Sequence, residues 1–265
     1  MNELNRMLKR ILLPVLLLSF ALTSFSQRWK MLRYEAALGI GSTNVYGDLG
    51  GAPNASSLLF IRDITFRNTR PSIYTALRYK LDPKTSLKFN LIYGFSRNDD
   101  FTGSRNDRRE FESVTDLIEF SGQYEFYFLQ EERRLKSAAM FNRRGMVNNY
   151  STIGAYVFAG AGAAFYWSNL ELERRSFDVY KTKPGVTLAL PIGFGIKYIL
   201  SDQWLLGWEL GYRHTLSDFL DGIQTPWSKN PDVYWISSLN LSYRIPTSRR
   251  GIPIFMDKQW RRARF

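Results

Sequence analysis

The stretch from Ile199 to Gly222, ILSDQWLLGWELGYRHTLSDFLDG, holds the chain's only histidine together with two tryptophans, a glutamate and an arginine. After the turn-forming Ser201-Asp202 it sorts by parity. Trp204, Leu206, Trp208, Leu210 and Tyr212 form one set; Leu205, Gly207, Glu209, Gly211 and Arg213 form the other. A period of two is the signature of a strand, because successive side chains point to opposite faces. One face is bulky and apolar, the other small or charged. Two architectures present such a strand. In a soluble sandwich the bulky face meets a second sheet; in a membrane barrel it meets lipid, and the polar face lines the interior.

The rest of the chain separates them. The same sorting works from about Arg33, where Tyr34, Ala36, Leu38 and Ile40 alternate with Arg33, Glu35, Ala37, Gly39 and Gly41. It works for Ile73–Leu81, with Arg78 and Lys80 on the polar side, and for Leu87–Phe95, with Lys88 and Asn90. A fourth run sets Ile118, Phe120, Tyr124, Phe126 and Phe128 against Glu119, Ser121, Gln123, Glu125 and Tyr127. A fifth, STIGAYVFAGAGAAFYW, is small and apolar on both faces, so its parity is ambiguous. A sixth opposes Leu188, Leu190, Ile192, Phe194, Ile196 and Tyr198 to a set ending in Lys197. The opening stretch is the seventh. The eighth places Val233, Trp235, Leu239, Leu241, Tyr243 and Ile245 opposite Tyr234, Ile236, Ser238, Asn240, Ser242 and Arg244.

Eight strands, each long enough to cross a bilayer at about 9–11 residues, predict an all-β fold: an antiparallel up-and-down transmembrane barrel. The connections alternate in length. Segments 46–71, 97–114, 169–184 and 216–232 are long, while 82–84 and 201–203 are tight, as expected of external loops and periplasmic turns. The exception is 129–150, long although it falls on the periplasmic side. A sandwich would need a partner surface for every bulky face. A barrel instead pairs Glu35, Glu119, Glu125 and Glu209 with Arg78, Lys88, Lys197 and Arg213 across a narrow interior, where an unpaired charge is costly. Interiors of eight-stranded barrels are filled by side chains, so a plug is expected rather than an open pore.

At the N-terminus, Arg6, Lys9 and Arg10 precede an apolar run from Ile11 to Leu22 and then TSFSQ. That is the pattern of a cleaved secretory signal over 1–26, with the barrel over 27–245 and a basic periplasmic tail over 246–265. The sequence contains no cysteine, so disulfides, thiolate metal sites and thiol nucleophiles are excluded. No later segment has the uninterrupted apolar length of a membrane-spanning helix.

YGDLGG (Tyr46–Gly51), RNTRPSIYTALRY (Arg67–Tyr79), YVFAGAGAAFY (Tyr156–Tyr166) and LSDQWLLGWELGYRHTLSDFLDG (Leu200–Gly222) carry a resemblance. Together they resemble the PorG-like outer-membrane β-barrel family, associated with the type IX secretion system. The resemblance implies a non-enzymatic barrel that associates with a periplasmic ring of PorK–PorN type. Gly47, Asp48, Asn68, Arg70, Pro71, Asp202, Asp218 and Asp221 match the family pattern, and turn chemistry gives them structural roles.

Other chemistry is weaker. His214 falls on the lipid side at the external end of its strand, as an interfacial polar anchor rather than a base. NDDFTG (Asn98–Gly103) resembles a calcium loop, but Arg109 stands where the final glutamate is required. The strand glycines lack the following helix of a nucleotide site. No cofactor or metal is expected. Removing Arg6, Lys9, Arg10 and Glu3 takes the formal charge of +12 to +10. Nucleic acid as the partner of that charge fails on compartment; the partners expected are outer-membrane lipid and the ring proteins. Arg133, Arg134, Arg143 and Arg144 in the long turn, with Arg261 and Arg262 in the tail, are the residues expected to dock on an acidic periplasmic surface. A small passive channel, a structural barrel unconnected to secretion and a lipid-modifying barrel enzyme remain the rival readings.

Overall fold

The computed structural model describes residues 32–46, 69–99, 111–131, 152–172, 179–181, 184–217, 219–220, 231–248 and 251–256. The strands are β1 (Tyr34–Tyr46), β2 (Arg70–Lys80), β3 (Thr85–Asp99), β4 (Phe111–Leu129), β5 (Ile153–Leu172), β6 (Val179–Lys181), β7 (Gly185–Ile199), β8 (Trp204–Thr215) and β9 (Val233–Ile245). Each long strand pairs antiparallel with the next long one, and β1 also pairs with β9. The sheet therefore closes on itself: an eight-stranded up-and-down barrel, with β6 a three-residue addition on β5. Closure removes the free edges that an open sheet would present to lipid.

Parity decides the wall. Leu38, Ile40, Leu77 and Phe89 are 62%, 71%, 62% and 62% exposed, whereas Glu35, Arg78 and Lys88 are 1%, 2% and 0% exposed. The polarity is thus inverted relative to a water-soluble domain, with apolar residues outside and charge inside. An apolar belt around a closed barrel far exceeds the patches that soluble monomers leave in water. It suits hydrocarbon, and the form is that of an integral outer-membrane barrel. Among the described residues, no helix is long and apolar enough to span a membrane.

At one end the turns are tight, and there the sequence writes its own acceptors. Asp82 Oδ1 accepts the backbone N–H groups of Lys84 at 2.7 Å and Thr85 at 2.9 Å. Ser201 Oγ accepts that of Trp204 at 3.1 Å. This turn end also holds the start of β1 and the end of β9. The opposite, loop end is lopsided: β4 has 19 residues and β5 has 20, against 11 in β2 and 12 in β8. At about 3.3 Å per residue, β4 and β5 continue well past the about 9–11 residues a bilayer needs. Out there an ion pair sits on the outer surface, Arg97 Nη2 to Glu112 Oε2 at 2.6 Å, in water rather than lipid.

Three expectations are corrected. The connections at 97–114 and 169–184 are shorter than read, because β3, β4 and β5 extend into them and β6 occupies part of the second. Alternation there is masked by polar residues on both faces once the wall leaves the membrane. Val233, placed on the lipid face, is 2% exposed. It is the first residue of β9, in register between Tyr46 and His214, two larger side chains. Pro246–Met256, assigned to the tail, begins as an ordered turn.

Candidate functional site

The interior is the most heavily engineered part of the molecule. Arg78, on β2, lies at its centre. Its guanidinium donates to Glu125 through Nε at 2.6 Å and Nη2 at 2.9 Å, a bidentate pair, and to Glu35 through Nη1 at 2.9 Å. Glu209 Oε2 accepts from Lys88 Nζ at 2.7 Å, and Glu35 Oε2 accepts from Lys197 Nζ at 2.6 Å. Tyr156 donates its hydroxyl to Glu209 Oε1 at 2.5 Å, and Tyr127 donates to Glu125 Oε2 at 2.9 Å. The two tyrosine rings stack, with centroids 4.8 Å apart, and Lys88 Nζ lies 4.7 Å from the Phe158 ring centroid. Hydrogen bonds, opposite charges and ring faces thus surround each buried ion, the condition under which such ions are tolerated.

Nearer the loop end, Glu119 Oε2 accepts from Arg213 Nε at 3.3 Å and from the Tyr234 hydroxyl at 2.8 Å. Its other oxygen accepts from Ser121 Oγ at 2.6 Å. Every residue expected in the lumen network is therefore inside, in two groups: Glu35, Arg78, Lys88, Glu125, Lys197 and Glu209 in one, Glu119 and Arg213 in the other. Glu209 and Arg213, on the same strand, bond to other strands and not to each other.

Glycine makes the network fit. A Cβ on Gly195 would strike the Tyr156 ring, and one on Gly193 would strike the Leu210 carbonyl and, at 2.6 Å, the Phe158 ring. The β7 glycines leave the volume that the β5 aromatics occupy.

Both mouths are crossed by chain. After the β4 bulge between Tyr127 and Leu129, the backbone leaves the strand and turns Glu131 inward. Glu131 Oε1 accepts from Lys80 Nζ on β2 at 2.7 Å and from Arg244 Nη2 on β9 at 3.0 Å. In sheet order β9 is four strands from β4, on the far side of the barrel. Burial pushes the Glu131 carboxyl up, but the ammonium of Lys80, helped by Lys197 and Arg244, outweighs it and lowers the pKa to about 2. At the other mouth, the connection after β8 brings Leu220 inward. Its carbonyl accepts from Thr115 Oγ1 on β4 and Ser168 Oγ on β5, both at 2.7 Å. Its N–H donates to Asp232 Oδ2 at 2.7 Å. The Leu220 side chain, fully buried, joins the cluster of Tyr74, Ile92, Leu117, Tyr166 and Ile236.

The interior is thus stacked in three levels: a glutamate clasp at the turn end, ion networks through the middle and an apolar stopper at the loop end. This arrangement holds the wall rigid and obstructs passage. Among the described residues, no group of three His, Cys, Asp or Glu side chains is placed to hold a metal ion.

The remaining candidates fall elsewhere. His214 is half-buried, in register with Leu190 and Val233 at the loop end of β8. Arg70 and Pro71 are the first two residues of β2, opposite Thr43 and Ser42. Asp202 is exposed in the β7–β8 turn. Gly47, Asp48, Asn68, Arg133, Arg134, Arg143, Arg144, Asp218, Asp221, Arg261 and Arg262 lie outside the described residues, as does the signal segment 1–26. Sequence reasoning missed Glu131, Tyr156 and Leu220. Tyr156 lies in the run of ambiguous parity, and the other two lie beyond the strands, where period-two reasoning stops.

Residues 10–242 match the family described as "Domain of unknown function (DUF6089)". The chain belongs to the DUF6089 family. No curated protein matches it. Among solved structures, outer membrane protein OprG from Pseudomonas aeruginosa is similar with a TM-score of 0.46 and 10% identity, over 81% of this chain and 97% of that one. Ail, the attachment invasion locus protein of Yersinia pestis, has a TM-score of 0.40 and 10% identity, over 80% and 99%. E. coli Outer Membrane Protein W has a TM-score of 0.36 and 13% identity, over 80% and 98%.

Proposed function

We propose that this DUF6089 barrel is a non-conducting, non-enzymatic anchor of the type IX protein secretion machinery in the outer membrane, with both termini in the periplasm. It docks a periplasmic ring of PorK–PorN type through the turn at 129–150 and the C-terminal tail. The observation that carries the reading is the interior blocked at both mouths, by Glu131 clasped to Lys80 and Arg244 and by Leu220 held to Thr115 and Ser168. A barrel filled in this way transports nothing through itself and works through what its ends hold. The PorG-like motifs supply the secretion context. The excess of arginine in the two periplasmic segments supplies the chemistry, a basic surface for an acidic partner.

The test is a mild-detergent co-purification of the tagged full chain from its own outer membrane. Recovery of ring proteins in fixed proportion is the expected result. Reversal of Arg143, Arg144, Arg261 and Arg262 to Glu should release them while the barrel stays folded. Recovery of the barrel alone, from membranes that contain the ring, would overturn the docking role. Steady conductance of the purified protein in planar bilayers would overturn the non-conducting reading and favour a small channel.

A further inference from the structure

The segment Pro246–Met256 leaves β9 and folds into a closed turn. Thr247 and Pro253 form an isolated bridge, Ser248 N–H donates to the Ile252 carbonyl at 2.8 Å, and Ile254 N–H donates to the Pro246 carbonyl at 3.0 Å. Gly251, at φ +76°, makes the reversal, a conformation that side chains beyond glycine rarely adopt. The turn is built, yet it leaves large apolar side chains uncovered. Ile252 is 42% exposed, Phe255 53% and Met256 63%. In water such a cluster on a chain of strongly basic composition is unfavourable, and nothing in the barrel interior needs it.

Its position says what covers it. Gly251 packs beside the Arg33 side chain, whose Nη1 donates to the Tyr79 hydroxyl at 3.0 Å and whose guanidinium lies over the Tyr79 ring. Tyr79 contacts Tyr34 at 5.1 Å between centroids, and one strand further round Trp204 contacts Tyr243 at 4.9 Å. These outward aromatics are the girdle at the turn-end rim of the apolar belt. The turn thus continues the lipid-facing surface rather than standing apart from it. The sequence around it alternates basic and apolar, with Arg249 and Arg250 before Ile252 and Lys258 after Met256. Basic and apolar residues together mark segments lying in the plane of a membrane interface, attracted by anionic headgroups.

We infer that the Pro246–Met256 turn is an interfacial membrane anchor, with Ile252, Phe255 and Met256 seated in the headgroup region of the phospholipid leaflet at the turn end. It fixes the exit of the C-terminal chain at the membrane plane. The inference rests on the belt facing lipid, and the experiment checks that separately.

The chain has no cysteine, so single cysteines report one site each. Phe255→Cys, and independently Ile252→Cys and Met256→Cys, are nitroxide-labelled in the full chain and reconstituted into phosphatidylcholine–phosphatidylglycerol vesicles. Collision with apolar oxygen is compared with collision with a water-soluble nickel chelate. Leu241→Cys on the belt and Lys84→Cys in the β2–β3 turn give the lipid and water references. The expected oxygen-to-nickel ratio at the three turn positions is several-fold above that at position 84. A ratio equal to that at 84 overturns the anchor, as does exclusion of both reagents, which would mean protein covers the turn. A water-like ratio at 241 would instead overturn the membrane reading of the belt.

Discussion

Glu209 is the residue whose loss tests the ion network most directly. Its carboxylate accepts from Lys88 at 2.7 Å, Tyr156 at 2.5 Å, Arg78 at 3.3 Å and Tyr74 at 3.3 Å, all buried. Glu209→Gln keeps the volume but removes the charge and turns an amide N–H₂ toward donors. Breaking a buried pair by removing one partner costs about 3–5 kcal/mol, because the remaining charge stays buried and uncompensated. Two features place this variant at the lower end. Lys88 keeps Glu125 at 3.2 Å, and Arg78 keeps both Glu125 and Glu35. The expected loss is therefore about 3 kcal/mol, read as the shift in urea midpoint for reversible unfolding in vesicles. Adding Lys88→Met removes the stranded ammonium and gives the Phe158 ring an apolar neighbour, so the double variant should be more stable than Glu209→Gln alone. The exposed pair supplies the control: Glu112→Gln, facing Arg97, should cost under about 1 kcal/mol. If Glu209→Gln costs no more than Glu112→Gln, or if Lys88→Met brings no recovery, the lumen behaves as a hydrated channel, and the plug argument fails with it.

Three further outcomes follow from the same geometry. Leu220→Asp places a charge in the apolar stopper without a partner, and its planar-bilayer conductance should exceed that of the parent chain; unchanged conductance would mean the loop-end stopper is not a barrier. Glu131 has a folded pKa of about 2 against an ordinary 4.5, so its contribution to stability is complete above about pH 4.5 and is lost as pH falls toward 2. The stability difference between the parent chain and Glu131→Gln should shrink over that window in acid unfolding titrations, and a difference constant with pH would exclude the clasp. Gly195→Val would drive methyl groups into the Tyr156 ring; overpacking of this kind costs about 1–3 kcal/mol, measured by the same urea midpoint, with no effect expected if the ring can move aside.

Much of the wall could be read from parity because the belt imposes one rule on every strand: what faces lipid must be apolar, and what faces the lumen must find a partner. Glu209 and Arg213 fall on the correct face for that reason alone. The rule weakens where a strand is small on both sides, and β5 hides Tyr156 and Phe158 among alanines and glycines. It disappears where the wall leaves the membrane, which is why the extension of β4 to Phe111 is not legible from alternation. Glu131 and Leu220 belong to neither regime. Each is inside because a connection folds across a mouth, and no local period encodes a contact spanning half the barrel. The charge count hinted at the first. Lys80 and Arg244 lie on lumen-facing positions in addition to Arg78, Lys88 and Lys197, so one more carboxylate was needed at the turn end.

The two crossings also divide the work of the molecule. Leu220 ties the β8–β9 connection to β4 and β5, the strands that overhang the loop end. Glu131 ties the root of the long 129–150 segment to Arg244, two residues before the tail begins its turn at Pro246. A connection anchored this way restricts where the next residues can emerge, and loss of chain freedom before binding lowers what binding must later offset. Were the barrel a channel, both crossings would obstruct its purpose. For an anchor they have a use: one stiffens the outer rim, and the other gathers the starts of the two basic segments at the same mouth.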